Sequence, residues 1–278
     1  MGGEDIDEGD DLEEANASDV ETTPNEAADP QSVVDAKIPA DIRKKFEILS
    51  YRNAAIILSE SQRTEFDELL GALRKFVIST DMIRRAGGNE SDMPKLLSSS
   101  LRPHGWHETI IRGDLNIRLT WRQQIGTNKK GKPKFETQSR ELTRKRYLDG
   151  HKIDFVKNRI AFDMEWNSKD QTFDRDLYAF NAFFLSGAID VGVLLTRGES
   201  LNPVLRQMGQ SLKKTGEPEF KTVKGVRMPR MTHEKYGAST TWWGKLVYRL
   251  NAGRNGGCPV LAVGITPACI SDWPKKIK

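Results

Sequence analysis

A strand, a helix and a second strand follow one another in the middle of the chain, and this order restricts the possible folds more than any other feature. Residues 159–167, RIAFDMEWN, alternate apolar and polar side chains with the period of two that is typical of a β-strand. Residues 174–187 have the apolar spacing of a helix, and residues 188–196, AIDVGVLLT, have the composition of a buried strand. Two strands joined by a crossover helix are the parallel unit of an α/β core, so we expect an α/β fold.

Further predicted elements lie on either side of this unit. Residues 62–79 have helical spacing and predict an amphipathic helix, whereas residues 258–265, CPVLAVGI, predict another buried strand. Residues 107–125 predict a two-strand hairpin that turns around residues 112–114. Residues 126–134, GTNKKGKPK, predict a flexible basic loop, which is either solvated or in contact with phosphates.

Charge is distributed unevenly along the chain. Residues 1–37 contain thirteen Asp or Glu and one basic residue, Lys37, which is a net charge of −12. Because the whole chain carries +4, the remaining residues carry +16. An acidic segment with few large apolar side chains cannot bury enough surface to fold, so we expect a disordered tail over residues 1–38 and one folded domain over residues 39–278. A strongly basic domain favours a polyanionic partner.

Several classes of protein are disfavoured by composition. No apolar run is long enough to span a bilayer, and the acidic start lacks the basic and apolar parts of a secretory signal. Cys258 and Cys269 are the only cysteines, too few for a disulfide framework, and the cysteines and histidines show no zinc-binding spacing. We therefore expect a cytoplasmic protein with no membrane association.

Three acidic residues cluster around the first predicted strand. Asp163 and Glu165 lie on one face of that strand, and Asp154 lies close by across a short turn. Crowded carboxylates repel one another unless a cation neutralises them, and Mg²⁺ prefers such oxygen ligands and can activate water beside a phosphate. The cluster predicts metal-dependent phosphodiester hydrolysis. The alternative is that these acids lie on the solvated face of a half-exposed strand.

The residues around these acids resemble a known family. IDFVKNRIAFDMEWNS, with DRDLYAF, GAIDVGVLLTRG, STTWWGKL and GGCPVLAVGI, is similar to the BglII/BstYI family of type II restriction endonucleases from about residue 50 to residue 265. The resemblance implies the PD-(D/E)xK nuclease fold, which is a mixed central sheet flanked by helices. It also implies Mg²⁺ as cofactor and double-stranded DNA as substrate.

The resemblance also assigns roles to the acids. It makes Asp154, Asp163 and Glu165 catalytic, with Asp154 and Asp163 as metal ligands and Glu108 as the nearest match to a further acidic ligand. Glu165 takes the place of the lysine that is common in this nuclease fold. The general base is therefore open between Glu165, a substrate phosphate and Lys169.

Two segments are candidates for DNA contact. Asn167, Ser168 and Lys169 follow the acids where the family presents side chains to bases, and Asn suits adenine in the major groove. A polar turn would have the same residues. The second segment consists of Ser239, Thr240 and Thr241, which precede a predicted helix. These residues either cap the helix or bind DNA at its N-terminus. Arg227 and Arg230 are candidate guanine contacts.

The expected function is that of a type II restriction endonuclease. It would cut a short palindrome, for which a GATC core is the candidate, as a homodimer that is paired in function with a cognate DNA methyltransferase. Two alternatives stay open. One is a structure-specific or repair nuclease on the same fold, and the other is a non-catalytic, sequence-specific DNA-binding protein, since a fold does not fix a function.

Overall fold

The computed structural model describes residues 23–85 and 92–273. Packing divides the chain into two units. Ile110–Lys152 form a unit that we call the ribbon, and the described residues on either side of it form the core unit. One folded domain over residues 39–278 stays a prediction.

The main sheet has six strands in the order β1-β8-β5-β4-β3-β2, and a second sheet pairs β6 with β7. The strands are β1 (Phe46–Tyr51), β2 (His107–Thr127), β3 (Pro133–Lys157), β4 (Ile160–Glu165), β5 (Val191–Arg197), β6 (Phe220–Val223), β7 (Val226–Pro229) and β8 (Val260–Ile265). β4, β5 and β8 run parallel, whereas β1 and β3 run antiparallel to their neighbours β8 and β4. The sheet is therefore mixed.

Helices and short helical turns connect these strands. The helices are α1 (Gln31–Lys37), α2 (Ala40–Lys45), α3 (Ala54–Ile56), α4 (Arg63–Lys75), α5 (Thr80–Arg85), α6 (Asp92–Leu101), α7 (Thr172–Leu185), α8 (Leu201–Gln207) and α9 (Trp243–Asn251). A π-helical turn at Ile57–Ser61 continues α3, and 3₁₀ turns occupy Arg102–His104, Thr232–Tyr236 and Pro267–Cys269. Within the described ranges, no helix is long and apolar enough to cross a membrane.

The predicted strand–helix–strand unit is confirmed as β4, α7 and β5. β4 and β5 pair in parallel from Ile160 with Val191 to Glu165 with Thr196, and α7 packs against both strands. Every residue of β4, β5 and β8 is buried. The alternative in which Asp163 and Glu165 lie on the solvated face of a half-exposed strand is therefore wrong, because parallel strands in the middle of such a sheet are covered on both faces. A mixed sheet flanked by helices confirms the predicted fold class.

Residues 23–38, the last part of the predicted tail, are folded. Helix α1 packs into the core through Val34, and Ile38 is buried directly after it. The Asp29 carboxylate accepts hydrogen bonds from the Ser50 hydroxyl and the Asn53 backbone N–H. The segment from Thr23 to residue 38 thus belongs to the folded structure, and residues 1–22 of the predicted tail lie outside the described residues.

The predicted hairpin around residues 112–114 is wrong. His107–Thr127 form one continuous strand, and the chain reverses at residues 128–132 instead. The Asn128 side-chain oxygen accepts hydrogen bonds from the backbone N–H groups of Lys130 and Lys132 and so orders this turn. The segment predicted as a flexible basic loop is therefore the turn that joins β2 to β3.

Candidate active site

Adjacent antiparallel strands bring Asp154 and Asp163 together. Phe155 of β3 pairs with Phe162 of β4, which places Asp154 opposite Asp163. The backbone N–H of Asp154 donates a hydrogen bond of 2.7 Å to Oδ1 of Asp163. The expected closeness of these two acids across the short turn is confirmed.

Asp163 and Glu165 are buried at the carboxyl end of β4. Asp163 is 4% exposed and Glu165 is 9% exposed. One carboxylate oxygen of each, Oδ2 of Asp163 and Oε2 of Glu165, has no hydrogen-bond partner among the described residues. Because buried polar atoms are nearly always partnered, two such oxygens in one place indicate a site that takes a further group.

A fourth acid, Asp176 of helix α7, joins the cluster and was missed by the sequence analysis. Asp176 is fully buried, and one of its carboxylate oxygens lies within 4.8 Å of a carboxylate oxygen of Asp163. The sequence did contain a signal for it. Phe173, Leu177 and Phe180 are the buried apolar stripe of α7, and Asp176 lies at helical spacing within that stripe.

Burial and mutual repulsion raise the pKa of the central acids. Burial is the main cause for Asp163, followed by the charges of Asp176 and Asp154, and its pKa is well above the ordinary value. Burial and the charge of Asp176 raise the pKa of Glu165 to about 8. Arg175 offsets part of this, since its guanidinium lies 3.9 Å from Glu165 and 3.3 Å from Asp176.

The acid cluster, which we define as Asp154, Asp163, Glu165 and Asp176, fits a divalent cation. The available ligand atoms are carboxylate oxygens, which Mg²⁺ and similar hard cations prefer. A cation would satisfy the two buried oxygens without partners, and it would offset both the burial and the repulsion that raise the pKa of Asp163 and of Glu165. Glu108 lies near the start of β2 with an exposed side chain, and its role as a metal ligand stays a prediction.

The two predicted DNA-contact segments lie side by side. The backbone N–H of Thr241 donates to the carbonyl of Ser168 at 2.8 Å, and the N–H of Ser168 donates to the Thr241 hydroxyl at 3.2 Å. Lys169 pairs with Thr240 as an isolated antiparallel bridge. We call residues 167–170 and 239–241 together the paired segments, since they form one short antiparallel structure next to the end of β4.

Arg197, the last residue of β5, holds the paired segments in place. Its side chain is fully buried, and Nε donates to the Trp166 carbonyl at 2.9 Å. Nη2 donates to the Thr240 hydroxyl at 2.6 Å and to the Thr241 carbonyl at 2.7 Å. The guanidinium also lies 4.9 Å from the centre of the Tyr236 ring. Arg197 was not predicted from the sequence, although an arginine that ends an apolar strand is a signal for a buried, partnered cation.

The structure separates the predicted DNA-contact residues into two groups. Ser239 and Lys169 are exposed, whereas Thr241 is fully buried with its hydroxyl and carbonyl engaged. Thr241 therefore supports the paired segments, and its contact with DNA stays a prediction. Helix α9 begins at Trp243 with no side-chain cap, so the alternative in which residues 239–241 cap this helix is wrong.

The family model for the restriction endonucleases BglII and BglIII matches residues 46–265. This chain belongs to the BglII family. The matched range begins with the first residue of β1, ends with the last residue of β8 and includes the acid cluster. A search of curated proteins found no match. The chain is thus a restriction endonuclease, a nuclease that binds DNA, and the predicted resemblance is confirmed.

Proposed function

We propose that this BglII-family protein is a type II enzyme that makes Mg²⁺-dependent double-strand cuts at a short palindrome. The observation that carries the proposal is the acid cluster, in which two buried carboxylate oxygens have no partner among the described residues. A protein that only binds DNA gains nothing from four acids held together beside phosphates. The cluster therefore favours catalysis over the alternative of a non-catalytic DNA-binding protein.

Asp154, Asp163 and Asp176 would hold the metal ion. When bound, the divalent cation neutralises charge on the scissile phosphate and lowers the pKa of water. Glu165 is the candidate general base, because its carboxylate lies beside Asp163 and its buried Oε2 has no hydrogen-bond partner among the described residues. Water would attack phosphorus and lose a proton to Oε2 of Glu165, while the bond to the 3′-oxygen breaks and the leaving 3′-oxygen takes a proton from solvent. The products are a 3′-hydroxyl and a 5′-phosphate.

The paired segments are the proposed site of sequence recognition. The Asn167 amide has the donor and acceptor types that match adenine in the major groove, and its buried Oδ1 has no partner among the described residues. Lys169 and Ser239 are exposed and offer further polar contacts, and the remaining candidates are Ser168, Thr240 and Thr241. Because Trp166 follows Glu165 and bonds to Arg197, the recognition residues are fixed directly beside the acid cluster. Recognition and cleavage would then share one rigid support.

The wider biological setting follows from the type II proposal. A palindromic site, for which a GATC core is the candidate, is read most simply by a two-fold symmetric homodimer. A cytoplasmic enzyme that cuts DNA at such sites would need a cognate methyltransferase to protect the host genome. Both partners belong to the proposal.

Metal dependence tests the proposal directly. Plasmid and phage DNA are incubated with the protein in Mg²⁺, Mn²⁺, Ca²⁺ or excess EDTA. We expect discrete double-strand fragments with Mg²⁺ or Mn²⁺ and none with Ca²⁺ or EDTA. Full cutting by metal-stripped protein in EDTA would contradict the proposal. Cutting confined to branched or mismatched duplexes would favour the structure-specific or repair nuclease.

A further inference from the structure

The ribbon holds a large share of the positive charge of the chain. Ile110–Lys152 contain twelve Lys or Arg and four Asp or Glu, a net charge of +8, against +4 for the whole chain. Four of these lysines lie in or beside the turn between β2 and β3, and all four are exposed: Lys129, Lys130, Lys132 and Lys134. Within the described ranges, none of these four lysines forms an ion pair, so their charge is available to a partner.

Contacts within the ribbon order its turn and two of its arginine side chains. Asn128 orders the turn by accepting hydrogen bonds from two backbone N–H groups within it. The Arg118 guanidinium donates two hydrogen bonds to Glu141, and that of Arg122 lies 5.2 Å from the centre of the Phe135 ring. Arg112, Arg118 and Arg122 are separated from one another by even numbers of residues, so their side chains share one face of β2. A preformed cationic face binds with little loss of side-chain entropy.

We propose that the ribbon binds the phosphate backbone of duplex DNA without regard to sequence, and that the four turn lysines supply most of this binding. Two-stranded ribbons fit the grooves of B-DNA, and clustered Lys and Arg bind phosphates by releasing counterions. The inference rests on DNA as the substrate, which follows from family membership, and does not depend on metal-dependent cleavage.

A second copy of this chain is the competing occupant of the ribbon. Apolar side chains are exposed along it, among them Leu119, Trp121 and Ile125, each 46% exposed. Such a surface is also typical of a protein interface. However, packing two ribbons together would bring two groups of +8 into contact, whereas DNA has the opposite charge. The charge balance therefore favours DNA.

The salt dependence of binding tests the inference. The variant carries Lys129→Ala, Lys130→Ala, Lys132→Ala and Lys134→Ala. Binding to a mixed-sequence duplex is measured in EDTA across a salt series, so that no cleavage occurs. Each lost phosphate contact lowers the slope of log K against log salt by about 0.9, so we expect a drop of about 2–4 and at least tenfold weaker binding at low salt. An unchanged slope would overturn the inference.

A matched control removes the same charge from the core unit. Arg52, Arg63, Arg159 and Arg254 are exposed, and Arg159 directly precedes β4, at the end of that strand opposite to Glu165. Their joint replacement by Gln should change the slope by less than one. An equal drop in this control would show that only net charge matters and would overturn the inference.

Sedimentation separates DNA from a second copy as the occupant. The double variant Leu119→Ser and Trp121→Ser is compared with wild type in the absence of DNA. We expect the same oligomeric state for both. Dissociation of this variant, with an unchanged salt slope in the lysine variant, would make the ribbon an interface between copies. All binding is measured in EDTA and so does not depend on cleavage. A wild-type protein that failed to cut DNA with Mg²⁺ would contradict the proposed function but would not affect the conclusion about DNA binding by the ribbon.

Discussion

Asp163 and Glu165 differ from ordinary surface acids in that the folded protein makes their ionisation unfavourable. Burial is the first cause for both residues, and the charge of Asp176 is the second. Glu165, whose pKa is about 8, would hold a proton at neutral pH without a metal, and a divalent cation would displace that proton on binding. The same residues therefore govern catalysis, metal affinity and stability, and these three effects can be measured separately.

Replacing Asp163 should separate cleavage from binding. Asp163→Asn keeps an oxygen that can accept the hydrogen bond from Asp154 but loses the charge that would hold a cation. We expect cleavage to fall by at least about a thousandfold, while DNA binding is retained or tightened because an acid beside the phosphates is removed. Parallel cleavage and gel-shift assays measure this, with the exposed Asp67→Asn as control. A variant that still cuts at the wild-type rate would show that Asp163 is not part of the active site.

Replacing Glu165 should change the pH dependence of stability. A carboxyl whose pKa is about 8 in the folded protein and ordinary in the unfolded chain binds its proton more tightly when folded. Its contribution to stability is therefore lost as pH rises from about 4.5 to about 8. Gln does not ionise, so the Glu165→Gln variant does not lose stability in this way. Without metal, its melting temperature should be about 5 °C or more above that of wild type at pH 8.5 and about the same as that of wild type at pH 5.

Thermal unfolding in EDTA at both pH values measures this difference. The exposed Glu199→Gln is the matched control and should follow wild type at each pH. A Glu165→Gln variant whose melting temperature shows the same pH dependence as wild type would mean that Glu165 is ionised in the metal-free protein.

At the scale of elements, local patterns predicted the core better than the ribbon. The unit of β4, α7 and β5 was predicted because the periodicity of each segment is visible along the chain, and Asp154 and Asp163 were placed together because only a short turn separates them. Gly113 and Asp114 looked like a turn, yet Gly113 lies within β2. A Cβ atom there would be 3.1 Å from Leu148, so the glycine permits a close cross-strand contact.

Contacts between distant segments could not be predicted in this way. Arg197 forms hydrogen bonds with Trp166, which is 31 positions away in the chain, and with Thr240 and Thr241, which are at least 43 positions away. No local sequence pattern relates these residues to Arg197. Asp176 lies on a helix that reaches β4 only once the crossover has formed. The acids on adjacent strands were therefore predicted from the sequence. Asp176 and Arg197, which only tertiary packing brings to the site, were not.

Arg197 should control recognition through the paired segments. Arg197→Lys keeps a buried charge but cannot bond to Trp166, Thr240 and Thr241 at once. Unsatisfied buried acceptors cost about 1–3 kcal/mol each, so we expect a lower melting temperature. We also expect discrimination between the cognate site and one-base variants to fall at least tenfold, with the metal requirement unchanged.

Cleavage rates on cognate and altered duplexes, measured below the melting temperature, test this expectation. Arg206→Lys on the exposed side of α8 is the control. An Arg197→Lys variant that melts lower but keeps full discrimination would give Arg197 a structural role alone.

At the scale of the whole molecule, charge at the N-terminus opposes charge elsewhere in the chain. Residues 1–22 contain ten Asp or Glu and no Lys or Arg, whereas the remainder carries +14. Deleting residues 1–22 leaves α1 intact, which a deletion to residue 37 would not. We expect the deletion to strengthen non-specific DNA binding, most at low salt, because less negative charge competes with phosphates.

Affinity for a mixed-sequence duplex across a salt series tests the effect of this deletion. Site-specific cleavage should persist, since every residue of the acid cluster lies far beyond the deleted segment. Equal affinities for both proteins at low salt would show that the acidic segment does not compete with DNA.

Sequencing the ends of cut DNA tests the central claim most directly. Phage DNA is digested to completion with wild-type protein and Mg²⁺, with Asp163→Asn in parallel, and the fragment ends are mapped on both strands. The proposed function predicts that every end carries a 5′-phosphate and falls at one short palindromic sequence, cut symmetrically, and that the variant yields none. Ends scattered without a common sequence, or equal digestion by the variant, would contradict it.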